Sequence, residues 1–445
     1  MKNIVVLLLL ISSYSFAQTI QGVFPQFKNN EIVLKGYDGF AENELVHTTS
    51  DSLGKFTLNY PKNYIGAAML QLKGASNLIV LLNNENFTMQ WNELQDFKTL
   101  QFTNSPENEA FAQIIALNQE TEPKLSGLKY LLPQYQKQSI EYKWLQQEIT
   151  KQENRFSNFL KSLPKNSYAA YYLQIRKLIT DMPLTANRYI ERMPQHEEDF
   201  KKINFNEDKL WTSGLLAEFL NGFYQLMESH IDIDKVTEHC NLATDVWIKS
   251  LASNPTKQQA VAEHCFKWLE KRSLFGAAEH LAKAMLNQTN CQLTVKSTNL
   301  FEQYRKMGIG NIAPNISLDD KQDKSKTKDL RSIDSKFKLV IFGASWCPNC
   351  QTDYIKLKDK YNDLKAKHSL EMVYISIDTD TTAFENYYKD APFITYCDGN
   401  GWETQAAKEY YIFATPTYVL LDKDLKVLAK IKSPEHLKAW LEAKE

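Results

Sequence analysis

The chain has 445 residues, which exceeds the usual size of a domain built around a single hydrophobic core. This length predicts about three domains. Its 52 Lys and Arg residues balance 53 Asp and Glu residues, and a net charge of -1 excludes the positive field of a general nucleic-acid binder. With 43% hydrophobic and 24% charged residues, the composition indicates folded globular domains and excludes a disordered or collagen-like chain.

The amino terminus has the pattern of a secretory signal peptide. Lys2 precedes an apolar run at 4–11, and the small residues Ser15 and Ala17 stand three and one positions before a suitable cleavage site. A membrane anchor is the alternative, but a span needs about 20 apolar residues and this run is much shorter. We therefore predict a signal peptide at 1–17, cleavage after Ala17, and a periplasmic protein without stable membrane insertion.

Residues 18–104 contain short β-forming runs separated by Gly, Asn and Pro. Their spacing of about ten residues is typical of an antiparallel sandwich or barrel, and we predict a β-sandwich. The predicted strands are Ile20–Phe24, Glu31–Tyr37, Leu45–Thr49, Lys55–Tyr60, Ala68–Leu72, Leu78–Leu82 and Phe87–Trp91. The segment has no clustered Cys, His or carboxylate residues that would indicate catalysis.

Residues 105–306 predict a central all-α helical domain. Ser105 suits a helix cap and Pro106 suits the first helical position. Glycines are too sparse here for a turn-rich β domain, and apolar residues recur at helical spacing. Prolines are expected to divide the region into helical hairpins. These prolines are Pro164, Pro183, Pro194 and Pro255.

Four of the six cysteines lie apart from the Cys347-Pro348-Asn349-Cys350 run. The helical region repeats the triplets Glu238-His239-Cys240 and Glu263-His264-Cys265, which could supply a zinc site. Adjacent side chains on a helix point about 100° apart, whereas helical metal ligands sit three or four residues apart. We therefore predict that both cysteines are buried core residues. A disulfide between them or a metal site is the alternative. Cys291 and Cys397 receive the same interpretation, with a third redox thiol as the alternative for Cys397.

The motif that carries the chemistry follows a buried strand within residues 307–445. The apolar run Lys338–Gly343 predicts a central strand, and it leads into Trp346-Cys347-Pro348-Asn349-Cys350 at the start of a predicted helix. A helix amino terminus stabilises a thiolate, so Cys347 is the predicted nucleophile. Cys350 lies one turn later and can attack the Cys347 sulfur. Half of a zinc knuckle is the alternative, but the sequence lacks a second Cys-x-x-Cys or a matching His pair.

The elements that follow continue a βαβαββα order, in which Thr415-Pro416-Thr417 opens a strand. The predictions are strands Glu371–Ile377, Tyr418–Leu421 and Leu425–Ile431, and helices Thr381–Lys389, Trp402–Tyr410 and Pro434–Ala443. With the Trp-Cys-Pro-Asn-Cys motif, this order resembles thioredoxin. Ala313-Pro314, Leu330 and the inserted strand and helix resemble more closely the TlpA-like thiol-disulfide oxidoreductases. Residues 18–104 resemble the domain of unknown function that precedes thioredoxin-like domains in exported Bacteroidetes proteins.

The resemblance implies an α/β thioredoxin-like fold for 307–445 and a redox-active Cys347–Cys350 disulfide, with no other cofactor and no metal. It also implies that Pro416 follows a cis peptide bond beside Cys347 and presents backbone to a bound client chain. Substrate contacts are accordingly expected from Trp346, Pro348, Thr415 and Pro416.

The chain departs from the family pattern at three positions. Thioredoxin has a buried carboxylate where this chain has Ile341, whereas TlpA-like proteins have a Glu at the position of Asp353. The resemblance therefore assigns Asp353 a proton-relay role, and a solvated helix aspartate is the alternative. Ile355 replaces a helix-kinking proline, so the helix is expected to be straighter.

Together these features predict an exported thiol-disulfide oxidoreductase that reduces disulfides of cell-envelope proteins and receives electrons from a membrane donor. One alternative is an envelope ligand-binding protein with a non-catalytic thioredoxin-like domain. A peroxiredoxin-like peroxidase is a further alternative, but it needs Pro and Thr where Val340 and Gly343 or Ala344 stand.

Overall fold

The structure is a computed structural model, and it describes residues 18–75, 77–230, 232–272, 274–288, 293–318, 328–412 and 414–443. The predicted signal peptide and Cys291 lie outside the described residues. The chain divides into two compact units. One unit comprises the residues up to Val236 together with Lys249–Ala260, and the other comprises Thr237–Ile248 and the residues from Val261 onward. The domain boundaries at residues 104 and 306 stay predictions.

The described part of the first unit begins with two four-stranded sheets, ordered β4-β1-β7-β8 and β3-β2-β5-β6. The strands are β1 (Gln18–Val23), β2 (Glu31–Asp38), β3 (Ala41–Thr49), β4 (Lys55–Tyr60), β5 (Ile65–Leu72), β6 (Leu78–Asn83), β7 (Phe87–Trp91) and β8 (Leu100–Thr103). Side chains alternate between exposed and buried along β4, as expected for a strand with one covered face. Residues of both sheets, among them Leu34, Leu58 and Trp91, share one buried cluster.

Two features of these sheets differ from the prediction. Strand β8 was not predicted. Strand β1 pairs with β7 in parallel, from Ile20 opposite Phe87 to Val23 opposite Gln90, so the expectation of a wholly antiparallel fold is wrong at this pair. The two strands lie far apart in the chain, and the antiparallel geometry that a short hairpin imposes does not apply to them.

The middle of the chain is helical, as predicted. Its helices are α1 (Pro106–Leu131), α2 (Ile140–Ser162), α3 (Tyr168–Arg188), α4 (Met193–Lys201), α5 (Asp208–Trp211), α6 (Leu216–Met227), α7 (Ile233–Ser250), α8 (Pro255–Lys271), α9 (Phe275–Leu286) and α10 (Val295–Lys306). Ser105 caps α1, since its side chain accepts a 3.3 Å hydrogen bond from the Asn108 amide. Within the described residues, no helix has the length and apolar content needed to cross a membrane.

The predicted break at Pro183 does not occur, because α3 continues through this residue. A proline inside a helix removes one backbone hydrogen bond. Helix α3 nevertheless buries Leu173, Met182 and Thr185 on both sides of Pro183, and packing of a buried face provides most of the stability of a helix in a protein. Cys240 on α7 and Cys265 on α8 are fully buried, which confirms their core placement.

The second unit ends in an α/β domain with the sheet order β11-β10-β9-β12-β13. Its elements are β9 (Phe337–Gly343), α11 (Pro348–His368), β10 (Leu370–Ser376), α12 (Thr381–Tyr388), β11 (Ile394–Cys397), α13 (Gln405–Glu409), β12 (Thr417–Asp422), β13 (Val427–Ile431) and α14 (Pro434–Glu442). Central strand β9 pairs in parallel with β10 and antiparallel with β12. This confirms the predicted thioredoxin-like α/β fold. Strand β11, which ends at Cys397, was not predicted.

Alternate residues of β9 face opposite sides of this sheet. Val340 and Phe342 belong to one buried cluster, together with Cys347 and Cys350. Leu339 and Ile341 belong to the other cluster, together with side chains of α11. Helix α11 runs without interruption past Ile355. The motif therefore lies at the carboxyl end of the central strand β9, and α11 covers the face of the sheet that includes Ile341.

Candidate active site

The two cysteines of the motif occupy the first turn of α11. Cys347 is the residue that caps the helix, and its sulfur accepts a hydrogen bond from the Cys350 amide at 3.4 Å. The side chains are largely shielded from solvent, with 6% of Cys347 and 1% of Cys350 exposed. Neither cysteine is in a disulfide, so the structure describes the reduced dithiol.

The surroundings give the two thiols different proton affinities. Burial opposes ionisation of Cys347, but hydrogen bonds from the Cys350 thiol and amide outweigh it and lower the Cys347 pKa. Burial raises the pKa of Cys350 to about 12, and its hydrogen bond to Cys347 acts in the same direction. Cys347 therefore ionises first and Cys350 holds its proton.

The structure brings the Thr415-Pro416 segment to Cys347. The Cys347 sulfur lies 3.7 Å from the carbonyl oxygen of Thr415, and the Thr415–Pro416 peptide bond is cis, as the resemblance implies. Trp346 and Pro348, on either side of Cys347, are exposed. The residues expected to contact a client therefore lie next to the nucleophilic thiol.

Asp353 lies one turn after Cys350 on α11, with 18% of its side chain exposed. Its carboxylate accepts a 2.7 Å hydrogen bond from the Tyr418 hydroxyl, and its other oxygen lies 3.9 Å from the Lys356 ammonium. Among the described residues, no direct hydrogen bond joins Asp353 to Cys350. The link to Tyr418 was not predicted, because β12 was identified only as a strand.

Sequence reasoning also missed a buried carboxylate beside the motif. Asp378 follows β10 and accepts hydrogen bonds from the Ser345 amide at 2.9 Å, the Ser345 hydroxyl at 2.8 Å and the Ser376 hydroxyl at 2.5 Å. The Gln351 side chain donates to the Ser345 carbonyl at 2.6 Å. These bonds fix the loop that precedes Cys347. The sequence signal for Asp378 was its position directly after a strand of the parallel sheet, because the carboxyl ends of parallel strands meet at one edge of the sheet.

Cys397 lies at the end of β11, half-buried, and its thiol donates to the Asp378 carbonyl at 3.5 Å. Burial raises the pKa of the Cys397 thiol, which disfavours the reactive thiolate form. In the part of the chain that the structure describes, no three His, Cys, Asp or Glu side chains are grouped so that they could bind a metal ion.

Known proteins resemble this part of the chain. Residues 335–427 match the thioredoxin-like protein family. The thiol-disulfide oxidoreductase ResA of Bacillus cereus is 31% identical over 144 residues, which cover 32% of this chain and 79% of that protein. Tryparedoxin of Trypanosoma brucei brucei is 28% identical over 102 residues, which cover 23% of this chain and 71% of that protein. A solved thiol-disulfide oxidoreductase from Bacteroides fragilis has 29% identity and a TM-score of 0.27, covering 30% of this chain and 100% of its own.

The region that matches the family includes both motif cysteines, Asp353 and the Thr415–Pro416 bond. The match to ResA extends over most of the length of that protein. In this chain the matched region has a thiol that caps a helix, a second thiol that is buried, and the sheet order described above. The chain therefore belongs to the TlpA-like thiol-disulfide oxidoreductases of the thioredoxin superfamily.

Proposed function

We propose that this oxidoreductase is exported and reduces disulfides of envelope proteins through the Cys347–Cys350 dithiol. The observation that carries the proposal is the difference between the two thiols. Cys347 caps a helix with a lowered pKa, whereas Cys350 is buried and protonated. A thiolate next to a protonated partner is ready to attack a disulfide of another protein.

The proposed reaction has two exchanges. The Cys347 thiolate attacks one sulfur of a client disulfide, so a mixed disulfide forms and the other client sulfur leaves as a thiolate. Cys350 then loses its proton and attacks the Cys347 sulfur, which releases the second client sulfur as a thiolate. Both client thiolates take up protons. The protein dithiol has been oxidised to a disulfide, and the client disulfide has been reduced to two thiols.

Asp353 is proposed to receive the proton that Cys350 gives up. Its mostly shielded carboxylate lies on the helix that carries both cysteines, one turn beyond Cys350. Trp346, Pro348, Thr415 and Pro416 are proposed to bind the client chain. Their exposure or closeness to the Cys347 sulfur supports this role.

Export, a periplasmic location and a membrane electron donor that reduces the Cys347–Cys350 disulfide again are further parts of the proposal. The signal-peptide pattern that ends at Ala17 supports export. For the amino-terminal region we propose that its two sheets stack as a sandwich, since side chains of both share one buried cluster.

The test is reduction of insulin disulfides by the chain from residue 18, with dithiothreitol as electron source. The expected result is faster insulin precipitation than with dithiothreitol alone, and its loss in a Cys347→Ser, Cys350→Ser double variant. Equilibration with glutathione gives the reduction potential, and a value near that of thioredoxin, about -270 mV, supports the reducing direction. No acceleration by the intact dithiol would instead support a ligand-binding protein with a non-catalytic domain.

A further inference from the structure

Two tyrosines flank Ile341 of the central strand on the face of the sheet that α11 covers. In the sheet, Ile341 of β9 lies opposite Tyr374 of β10 and opposite Tyr418 of β12. Directly paired residues of neighbouring strands point to the same face. All three side chains are buried in the cluster that α11 covers. Ile341 offers no hydrogen-bonding group, so any polar contact from this row comes from the tyrosines.

The hydroxyl of each tyrosine has a defined partner. Tyr418 donates to the Asp353 carboxylate at 2.7 Å. Tyr388 of α12 donates to the Tyr374 hydroxyl at 2.7 Å. Either hydroxyl can donate in a bond between two tyrosines, and when Tyr388 donates, the Tyr374 proton is available to another acceptor.

The Tyr374 hydroxyl and the Cys350 thiol meet the same end of β9. A Cβ atom placed on Gly343 would lie 1.9 Å from the Tyr374 oxygen, so the hydroxyl reaches the strand only because this residue is glycine. The next residue, Ala344, is buried in one cluster with Cys350. Asp353, the partner of Tyr418, follows Cys350 by one turn of α11, so Tyr418 packs against the same face of the helix as Cys350. In agreement with this placement, burial raises the pKa of Tyr374 and of Tyr418, and a negative charge on Cys350 raises both further.

We propose that the hydroxyls of these two tyrosines form hydrogen bonds with Cys350. Tyr374 donates a hydrogen bond to the Cys350 thiolate, and Tyr418 connects Cys350 to Asp353. The inference rests on the proposed function, since it concerns the resolving step of that reaction. As Cys350 attacks the mixed disulfide, its proton passes to the Tyr418 oxygen while the Tyr418 proton passes to the Asp353 carboxylate. A Cys350–Cys347 S–S bond forms, the Cys347–client bond breaks, and the client sulfur leaves with the electron pair.

The experiment uses the reduced full chain with the aromatic disulfide of Ellman's reagent in place of a client. Attack by Cys347 releases one coloured thiolate, and attack by Cys350 on the resulting mixed disulfide releases a second. A Cys291→Ser, Cys397→Ser background removes the half-buried Cys397 and also Cys291, which lies outside the described residues, so that the motif thiols and the fully buried Cys240 and Cys265 remain. We expect Tyr374→Phe and Tyr418→Phe to slow the second release about tenfold or more, the effect of losing a hydrogen bond to a charged group, and to leave the first release unchanged.

Tyr361→Phe is the matched control. Tyr361 belongs to α11 and is buried in the same cluster, but its hydroxyl donates to the Glu371 carboxylate of β10. It should keep the wild-type second release, and an equal slowing in this variant would reduce the effect to packing and overturn the inference. The combination of Tyr418→Phe with Asp353→Asn should be no slower than the slower single variant, because both interrupt one path. Fully multiplicative slowing would overturn the link between Tyr418 and Asp353.

The time course of thiolate release also distinguishes failure of the proposed function from failure of the inference about the tyrosines. If the background protein with all its tyrosines releases only one thiolate per chain, it lacks the resolving step, and this result contradicts the proposed function itself. A wild-type protein that releases two, with both tyrosine variants at the wild-type second rate, leaves the function standing and refutes the role of the tyrosines. Thermal unfolding of each variant verifies that it is folded.

Discussion

The backbone amide of Cys350 donates a hydrogen bond to the sulfur of Cys347 across 3.4 Å. The residue proposed to attack the Cys347 sulfur therefore also stabilises Cys347 as a thiolate. Both functions depend on the helix beginning at Pro348, because only the first turn of a helix has amides without a backbone partner. The position of the motif at a strand-to-helix junction thus determines which cysteine reacts first.

Replacing each cysteine should therefore give different products. Cys347→Ser should abolish insulin reduction, because the ionised attacking sulfur is lost. Cys350→Ser should still attack and should accumulate a mixed disulfide with an insulin chain, because nothing remains to displace the client. Mass spectrometry without reductant detects the adduct. An adduct on Cys350 in the Cys347→Ser variant, and none in the other, would reverse these roles.

The order of alkylation with pH is a second expectation. A thiol reacts with iodoacetamide as the thiolate, so labelling rises as pH passes its pKa. The Cys347 pKa is lowered and the Cys350 pKa is raised to about 12, so near neutral pH Cys347 should be labelled first. Peptide mapping after brief labelling of the reduced protein measures both sites. Labelling of Cys350 ahead of Cys347 would contradict the assigned electrostatics.

Asp353→Asn should slow insulin reduction about a hundredfold, the usual range of general acid–base help. The amide keeps the size of the side chain but cannot take up the Cys350 proton, so the pH profile should also change. Asp359→Asn, an exposed position on the same helix, is the control and should behave like the wild type. Wild-type rates for Asp353→Asn from about pH 6 to 9, a range around the ordinary thiol pKa of about 8.5, would contradict the proton-relay role of Asp353.

The parts of the site that lie close together in sequence could be predicted from sequence. Cys347 and Cys350 stand at the junction of an apolar run and a helical pattern, and the spacing alone places both sulfurs on one helical turn. Pro416 stands 69 residues after Cys347, and only the resemblance to thioredoxin implied its place beside that thiol. Local periodicity therefore predicts the placement of the two cysteines, whereas the roles of all three residues stay predictions.

The parts that depend on strand register could not be predicted. The bond from Tyr418 to Asp353 joins residues 65 positions apart, and that from Ser345 to Asp378 joins residues 33 apart. Composition identifies neither pair, since the relative shift of β9, β10 and β12 decides which side chains meet. Strand β11 was missed for a different reason. Its four residues are all half-buried, so the alternation that reveals a strand is absent from it.

Asp378→Ala should destabilise the α/β domain and loosen the loop before Cys347. Three donors from Ser345 and Ser376 lose their acceptor, and a hydrogen bond to a charged group is worth about 1.5–3 kcal/mol. We expect the free energy of unfolding to fall by about 3 kcal/mol or more in urea, together with slower insulin reduction.

Asp380→Ala is the matched control for this variant. Asp380 caps α12 on the exposed surface, where its carboxylate accepts from the Thr382 and Ala383 amides. Loss of such a cap usually costs about 1 kcal/mol, and insulin reduction should keep its wild-type rate. Equal losses of stability in both variants would contradict the special role of Asp378.

Lys430 should make the stability of the second unit depend on pH. Its ammonium lies 3.4 Å from the centre of the Tyr304 ring, and burial lowers its pKa from 10.5 to about 8 although Glu279 and Glu270 oppose the change. Between these two pH values the unfolded chain binds the Lys430 proton and the folded chain does not, so this residue makes stability rise with pH. Over the whole interval the gain is about 3 kcal/mol.

Lys430→Met isolates this effect from the tyrosines that titrate in the same range. The free energy of unfolding of the wild type, minus that of the variant, should increase between pH 8 and pH 10.5. It should be flat below about pH 7, where Lys430 is protonated in both the folded and the unfolded chain. Lys432→Met, at an exposed position on the same segment, should show no such slope. Urea unfolding across this pH range measures all three proteins. A constant difference between wild type and Lys430→Met would show that Lys430 keeps an ordinary pKa in the folded protein.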